Sequence, residues 1–594
     1  VTALQAGVVN AELKQDDKVS DRLQTALRLD ATGWLADREN VVPLTQLQGT
    51  RLPLGLPADA RDVRLRVVGN TASQFARVAD DLIEYPYGCA EQTASRLIPL
   101  ALAQQSLAAT GTRLGDGGPA GTQGVDALLR TQRQRLALLA GTNGTFGWWG
   151  ELTTSSALIT SYAYYADWLA SRSVGISLPA DNWKQVLEAY KRTSQNEPLL
   201  HRALALWFAN EMGLPVATPL SGVANELAPT GGKAAKATAD ADPAAGDSLI
   251  FVAPDAPRGR QVATVLTAQL MRQIGQPVPE ALVSAEIAAR SALAANTSPL
   301  VQSLLLMGGG RSAADPAPLL ARASAALPTM DRAVALVWLQ KGLGGLQGAS
   351  VAAIQPALSA GGWQATRSPV GVPTWRWTGA QAPAALDLTA APTDVTTQSA
   401  IVSYRSRAAE ASKLPITVER KLYRLEPTDS APAKADPKAP KQAAAGASSS
   451  GIAFTAKPVK PGDTLDSNAL YVDEVGLTPR QGTYRYGLVE VPLPPGAEVE
   501  ATTWGIQIDG LKGEPNEGNG AQAFERKAAY EMGQLSYNQP VPALERPTVL
   551  RQLVRFSLPG RFALPPVRYF RMYQPEAKAF QGDGKTASYP FKVE

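Results

Sequence analysis

From about residue 71 to about residue 362, apolar residues recur three and four positions apart in segment after segment, and this run limits what the chain can fold into. The segments ASQFARVADDLIEY, EQTASRLIPLALAQQSLAAT, GVDALLRTQRQRLALLAG, SALITSYAYYADWLASR, NWKQVLEAYKRT and PLLHRALALWFANEMG come first. RQVATVLTAQLMRQIG, PEALVSAEIAARSALAA, PAPLLARASAAL and DRAVALVWLQKGL follow. Leu158, Tyr162, Tyr165 and Leu169 show the spacing that makes one helical face apolar. Short loops between such segments predict about a dozen helices in consecutive pairs, which close into a ring, an α/α toroid, or stack as an open solenoid. The run is broken at 229–247 by PTGGKAAKATADADPAAGD, too small and charged to bury much surface, which predicts a mobile loop.

On both sides of the run the pattern alternates with period two. RLQTALRLDATGW and DVRLRVVG precede it; PTWRWTGA, TQSAIVSYRS and ITVERKLYRL follow it. A chain that enters and leaves a helical block through strands predicts a β domain split by insertion, with 1–70 and 363–413 as its halves, because the ends of an inserted domain lie close together. Trp363, Trp375 and Trp377 fall at that junction. The tract 427–451, rich in Ala, Pro, Lys and Ser, predicts a solvated loop. Beyond it YRYGLVEVPLPPGAEVE and VLRQLVRFSLPGRFALPPVRYFRMYQPE predict an all-β sandwich over 414–594.

Composition narrows the function classes. A chain of 594 residues with 45% hydrophobic and 19% charged residues is multidomain and globular. A net charge of +4 with no long basic run gives no reason to expect a nucleic-acid partner. No apolar run reaches the ~18 residues a spanning helix needs. The chain begins at Val1 without a leader, which predicts a piece of a longer, processed polypeptide. With one Cys and one His in the whole chain there is no metal-ligand cluster, and no cofactor motif is present; no metal and no cofactor are expected. Scarcity of Cys suits a cytosolic protein and equally a periplasmic one that avoids disulfides.

That one cysteine sits in YPYGCAEQTAS, residues 85–95. Cys89 and Gln92 are three apart at the start of a helical segment, on one side of its first turn. Attack of the thiolate on the Gln92 amide, with loss of ammonia, would give an internal thioester, and proximity is what makes so poor an acyl donor react. Gly88 permits the tight entry into the helix. The helix N-terminus favours the leaving thiolate. Water destroys a thioester, so a cover is required, and Tyr85 and Tyr87 are on hand.

YPYGCAEQTAS resembles the Gly-Cys-x-Glu-Gln thioester motif of the alpha-2-macroglobulin and complement superfamily, and EYPYG resembles its bacterial members in particular. GTFGWWGELTTSSALITSYAYYADWL is similar to their Gly-Trp-rich turn and following helix, and GLVEVPLPPGAE and ALPPVRYFRMYQPE to segments of their C-terminal domain. The resemblance implies a CUB-like sandwich, 1–70 and 363–413, interrupted by an α/α toroid thioester domain, 71–362. A C-terminal macroglobulin or receptor-binding-like sandwich, 414–594, follows, with its low-complexity loop at 427–451. Part of 1–70 can instead end a preceding macroglobulin domain.

The function implied is a broad-spectrum endopeptidase trap, not a turnover enzyme. A protease cuts a bait region, the protein rearranges, and the exposed thioester acylates a lysine of the attacker in a single acyl transfer. Cys89 is then the thiol donor and Gln92 the acyl donor; Tyr85, Tyr87, Met572 and Tyr573 are the implied cover. The implied partners are target proteases and macroglobulin domains upstream in the same polypeptide. The implied setting is the periplasm, at the inner membrane through an upstream lipoprotein signal or a tethering partner.

Plainer readings stand beside these. Glu91 could assist proton transfer, but a carboxylate at a helix start is explained as a cap. His201, the sole histidine, matches only broadly the histidine that redirects transfer to hydroxyls in complement-type relatives; the plain alternative is an exposed first-turn residue. Gly147, Trp148 and Trp149 could line a groove, though aromatics before a helix more often pack. Rival functions are an α/α toroid enzyme using Cys89 as nucleophile, which lacks a recognisable base pairing, a toroid glycosidase, which lacks paired carboxylates, and a thioester-type surface adhesin, which does not share this domain order.

Overall fold

A computed structural model describes the chain apart from residues 1–6, 16–17, 28–34, 70, 86–87, 111–124, 149–153, 177–182, 229–247, 253, 310–316, 344–361, 369, 371–372, 380, 391–394, 397, 408–413, 429–451, 495, 501–505, 512–535 and 583–588. The loop predicted at 229–247, nearly all of that at 427–451, and Tyr87 and Trp149 lie outside the described residues.

Twelve α-helices are described, from Thr71–Ile83 to Thr329–Gly342. Alternate helices pack on one another: Ala90–Thr110 on Ala157–Ser173, that on Leu199–Glu211, and that on Pro257–Gln273. Pro299–Met307 continues the series to Thr329–Gly342, which returns to Ala90–Thr110. The others lie outside this closed series; Thr71–Ile83, for example, packs against Ala317–Ala326. Sequence explains the sorting. Leu199–Glu211 is apolar nearly all round and buries Leu200, Ala203, Leu204, Ala205, Leu206, Trp207 and Phe208, as an interior helix must. Lys184–Thr193 has one apolar stripe and buries only Val186, Ala189 and Tyr190.

Strands from either side of the helical run meet in two sheets, a two-stranded one pairing Arg51–Pro53 with Ala385–Asp387 and a larger five-stranded one. Its antiparallel order is Leu35–Pro43, Ser399–Arg407, Arg61–Val68, Pro373–Trp377, Trp363–Arg367. Trp363 and Trp375 are buried in its core with Leu65, Val67 and Val402, and Trp363 meets Trp377 edge-on at 5.2 Å. The earlier strands Gly7–Gln15 and Lys18–Leu27 pair with each other. Arg66 of the sheet reaches Asp80 and Asp81 of Thr71–Ile83, and Arg77 reaches back to Glu39, so charged pairs fix the helical unit to the split β unit.

The C-terminal unit stacks a six-stranded sheet, centred on Ile416–Pro427 and Tyr471–Pro479, near a four-stranded one ordered Ser536–Leu544, Tyr484–Pro492, Arg568–Arg571, Gln574–Phe580. A fully buried ion pair crosses its core: Arg420 Nε and Nη2 donate to Asp473 at 2.9 and 2.7 Å, and Nη1 donates to the carbonyls of Pro492 and Pro565. Breaking such a pair leaves an uncompensated buried charge. Asp473→Ala should therefore destabilise the unit by roughly 3–5 kcal/mol, seen as a large fall in Tm; a loss under about 1 kcal/mol would mean that the pair is solvated.

Candidate functional site

Cys89 is the last residue before the helix Ala90–Thr110, and Gln92 stands in its first turn. Both are 1% exposed. The Gln92 backbone N–H donates to Cys89 Sγ (3.5 Å), and the Cys89 N–H donates to the Gln92 amide oxygen (3.3 Å). Each side chain is thus held by the other residue's backbone within one helical turn, with a donor already on the oxygen where negative charge would gather during attack. The entry is anchored by Ala90 N–H on the Trp148 carbonyl (3.0 Å) and by the Arg96 guanidinium on the Tyr85 carbonyl.

Burial, then the charge of Glu91, push the Cys89 thiol well above its ordinary range, although the backbone N–H groups of Gln92 and Glu91 pull it down. The expectation that the helix end favours the thiolate holds for those two donors, but desolvation outweighs them. In this closed arrangement burial keeps the free thiol protonated.

The C-terminal unit reaches over the Cys89–Gln92 turn. The turn between Arg568–Arg571 and Gln574–Phe580 carries Met572 and Tyr573 into the helical core, where both are buried. Gln92 Nε2 donates to Met572 Sδ at 3.6 Å. Tyr573 joins Trp148, Phe251 and Tyr486 in an aromatic cluster whose ring centroids lie 4.2–5.7 Å apart. Tyr486 is held there by a left-handed backbone (φ 58°), an uncommon state for a non-glycine residue, which takes it out of the pairing with Ser536–Leu544 while the register on either side is kept. Its carbonyl accepts from Met572 N–H (3.0 Å). A cleft of about 840 Å³ reaches Trp148, Phe251 and Tyr486 but not Cys89, Gln92 or Tyr573. Tyr85 is half-buried, and burial, then Glu91 and Cys89, raise its phenol above the ordinary range.

Two plain expectations are corrected. Glu91 does not cap the helix: it is fully buried, and its carboxylate accepts from Ser95 Oγ (2.7 Å), Thr329 Oγ1 (2.8 and 3.0 Å) and the Tyr573 hydroxyl (2.8 Å). His201 is not exposed: it is buried beside Phe251, and its Nε2–H donates to the Ile250 carbonyl (2.7 Å). Burial lowers its pKa to about 4, so it is neutral at pH 7. Trp148 packs, but it packs into the cluster over the site.

Phe251, Tyr486, Ser95, Thr329 and Asp331 were not anticipated. Asp331, fully buried, accepts from Ser248 Oγ, Leu249 N–H (3.0 Å) and Ile250 N–H (3.4 Å), shaping the loop that presents Phe251; Ser248 N–H donates to the Tyr573 carbonyl (3.1 Å). Burial raises Asp331 to about 7 despite those bonds. A raised folded pKa means that this contribution to stability is complete below the unfolded value, roughly 4, and is lost as pH rises through about 7. The Tm advantage of the native chain over Asp331→Asn should therefore be larger at pH 5 than at pH 8; an advantage independent of pH would contradict it.

Among the described residues no group of three or more His, Cys, Asp or Glu side chains could hold a metal ion. No helix among them is long and apolar enough to cross a membrane.

No protein-family model matches the chain. Over 593 residues it is 89% identical to the alpha-2-macroglobulin of Ralstonia nicotianae, a match covering 100% of this chain and 37% of that protein. The chain thus spans little more than a third of the length of that curated relative. A crystal structure of native Escherichia coli alpha-2-macroglobulin from domain MG7 to the C-terminus superposes with a TM-score of 0.56 at 16% identity, covering 99% of this chain and 88% of that one. Salmonella alpha-2-macroglobulin reacted with methylamine superposes with a TM-score of 0.58 at 16% identity, covering 99% and 35%. These two likenesses speak for the fold alone. By its near-identity along its whole length to the Ralstonia protein, the chain belongs to the bacterial alpha-2-macroglobulin family.

Proposed function

We propose that Cys89 and Gln92 form an internal thioester and that the polypeptide carrying this chain is a broad-spectrum protease trap. A protease that cuts a bait region elsewhere in that polypeptide releases the cover, and a lysine of the protease then attacks the Gln92 carbonyl. The observation that carries this reading is the reciprocal hold of Cys89 Sγ and Gln92 Oε1 by each other's backbone N–H in one dry helical turn, with Met572 of the C-terminal unit seated on the amide nitrogen. Near-identity to an alpha-2-macroglobulin supports the protease-inhibitor part of it. Met572 and Tyr573, with Tyr85 beside the motif, are proposed as the shield. His201, neutral and engaged with Ile250, has no place in the step, which makes amines the expected acceptors ahead of hydroxyls.

The closed series of alternate helices supports reading 71–362 as an α/α toroid thioester domain. The two sheets drawn from both flanks support a CUB-like β unit in 1–70 and 363–413, and the stacked sheets of 414–594 a macroglobulin-like sandwich. Action in the periplasm, with a lipoprotein anchor or tethering partner, belongs to the same reading.

Incubating the full-length polypeptide with trypsin tests it. A covalent adduct is expected whose cross-linked peptide joins Gln92 to a lysine side chain of trypsin. Inhibition without any Gln92-linked peptide would overturn covalent capture.

A further inference from the structure

The step just proposed leaves Glu91 without a task, yet its setting is costly. A carboxylate with 0% exposure and no ion pair among the described residues is held only by hydroxyls, an arrangement that a neutral side chain would make more cheaply. The donors come from three segments. Ser95 is on Glu91's own helix, and Thr329 opens the helix Thr329–Gly342; both belong to the helical unit. The Tyr573 hydroxyl comes from the C-terminal turn, next in sequence to the Met572 that sits on the Gln92 amide. A two-residue segment therefore covers the electrophile with one side chain and occupies the carboxylate with the other. When that segment withdraws, Gln92 is uncovered and Glu91 Oε2 loses its Tyr573 donor in the same movement.

Resting on the thioester reading, we propose that Glu91 is the proton acceptor for amine attack at Gln92, kept silent by Tyr573 while the C-terminal unit is docked. The amine nitrogen bonds to Gln92 Cδ, the Cδ–Sγ bond breaks, and its electron pair leaves on Cys89 Sγ. The proton shed by the new ammonium passes to Glu91 Oε2 and then to Sγ, which restores the carboxylate and leaves an amide and a free thiol. No other reactant is needed. While docked, three hydroxyls cover both oxygens and leave an incoming ammonium no approach, although burial raises the carboxyl's pKa; undocked, Ser95 and Thr329 still hold Oε1, and Oε2 keeps only the longer share of the Thr329 hydroxyl (3.0 Å). The titratable groups around it are Cys89 on its own helix, Tyr85 before it, Tyr162 on Ala157–Ser173 through Ser95, Asp331 on Thr329–Gly342, and Tyr573. Arg96, a nearby cation, is turned to the Tyr85 carbonyl.

The experiment follows methylamine incorporation against pH in the full-length, uncleaved polypeptide and in its Tyr573→Phe, Glu91→Gln/Tyr573→Phe and Glu91→Asp/Tyr573→Phe variants, with the intact mass of each taken first. Tyr573→Phe should speed incorporation at least about tenfold and give a rate that climbs as a carboxylic acid titrates. Adding Glu91→Gln should remove that limb and cost roughly 10²-fold against Tyr573→Phe. If Glu91→Gln blocks formation of the cross-link, Glu91→Asp carries the test, because withdrawing the carboxylate by one methylene should slow the reaction while keeping the limb. Glu91→Gln/Tyr573→Phe reacting with the rate and profile of Tyr573→Phe would overturn the proposal, as would a Glu91→Asp rate equal to it. A merely structural Glu91 would change Tm and leave the limb alone. A wild-type chain that takes up no methylamine would instead sink the thioester reading.

Discussion

Cys89→Ala should abolish methylamine incorporation at Gln92 and the thiol release that accompanies it, and should return the intact mass to the sequence value. The loss is expected to be total, because no other side chain stands in for the sulfur: it is the only cysteine of the sequence, and among the described residues Gln92 Nε2 meets only the thioether of Met572. A primary amide is inert to amines at neutral pH, so everything depends on exchanging it for a thioester through a neighbour held within one helical turn. The fold should survive. Cys89 is a small member of a large apolar cluster with Ala90, Ala94 and Phe146, and removing one sulfur there leaves a modest cavity. A Cys89→Ala chain that still takes up methylamine at Gln92 would place the reactive bond elsewhere.

Met572→Ala/Tyr573→Ala carries the second large effect. These side chains are buried at 4% and 2% exposure in the helical core, and the tyrosine adds ring contacts with Trp148, Phe251 and Tyr486 and a hydrogen bond to Glu91. Burial of side chains of this size contributes about 1.5–3 kcal/mol each, so removing both costs docking roughly 3 kcal/mol or more, which is about a hundredfold in the open fraction. Aminolysis of the uncleaved protein should rise by about that factor, and slow hydrolysis should appear as a chain with a free thiol before any protease is added. An unchanged aminolysis rate would mean that the shield lies in other residues.

What the sequence made legible follows from how local each signal is. The Cys89 to Gln92 spacing is a statement about one helical turn, and the helix does open at Ala90. The helices from Ala157–Ser173 onward are visible because their apolar spacing is self-contained, and the strands around Trp363 and Trp375 because alternation is. Met572 and Tyr573 were reached only through family resemblance; nothing in MYQPE itself says which helix start it covers.

The residues that were misjudged or missed owe their settings to distant partners. Glu91 looked like a cap because its position is local, whereas two of its three donors, Thr329 and Tyr573, lie 238 and 482 residues away. His201 looked exposed at the head of a helix because the loop at Ile250 and Phe251 that buries it follows the 229–247 insert. Tyr486 sat inside a plausible strand, and only its left-handed backbone turns it into the cluster. Phe251 had no periodic pattern around it.

The central claim, that one dry helical turn stores an electrophile, is tested most directly by the intact mass of the freshly prepared full-length polypeptide before and after methylamine. The account predicts a mass short of the sequence by one ammonia, then a gain of one methylamine with one titratable thiol released, both mapping to Cys89 and Gln92. A mass equal to the sequence value at the outset, with no methylamine gained, would contradict it.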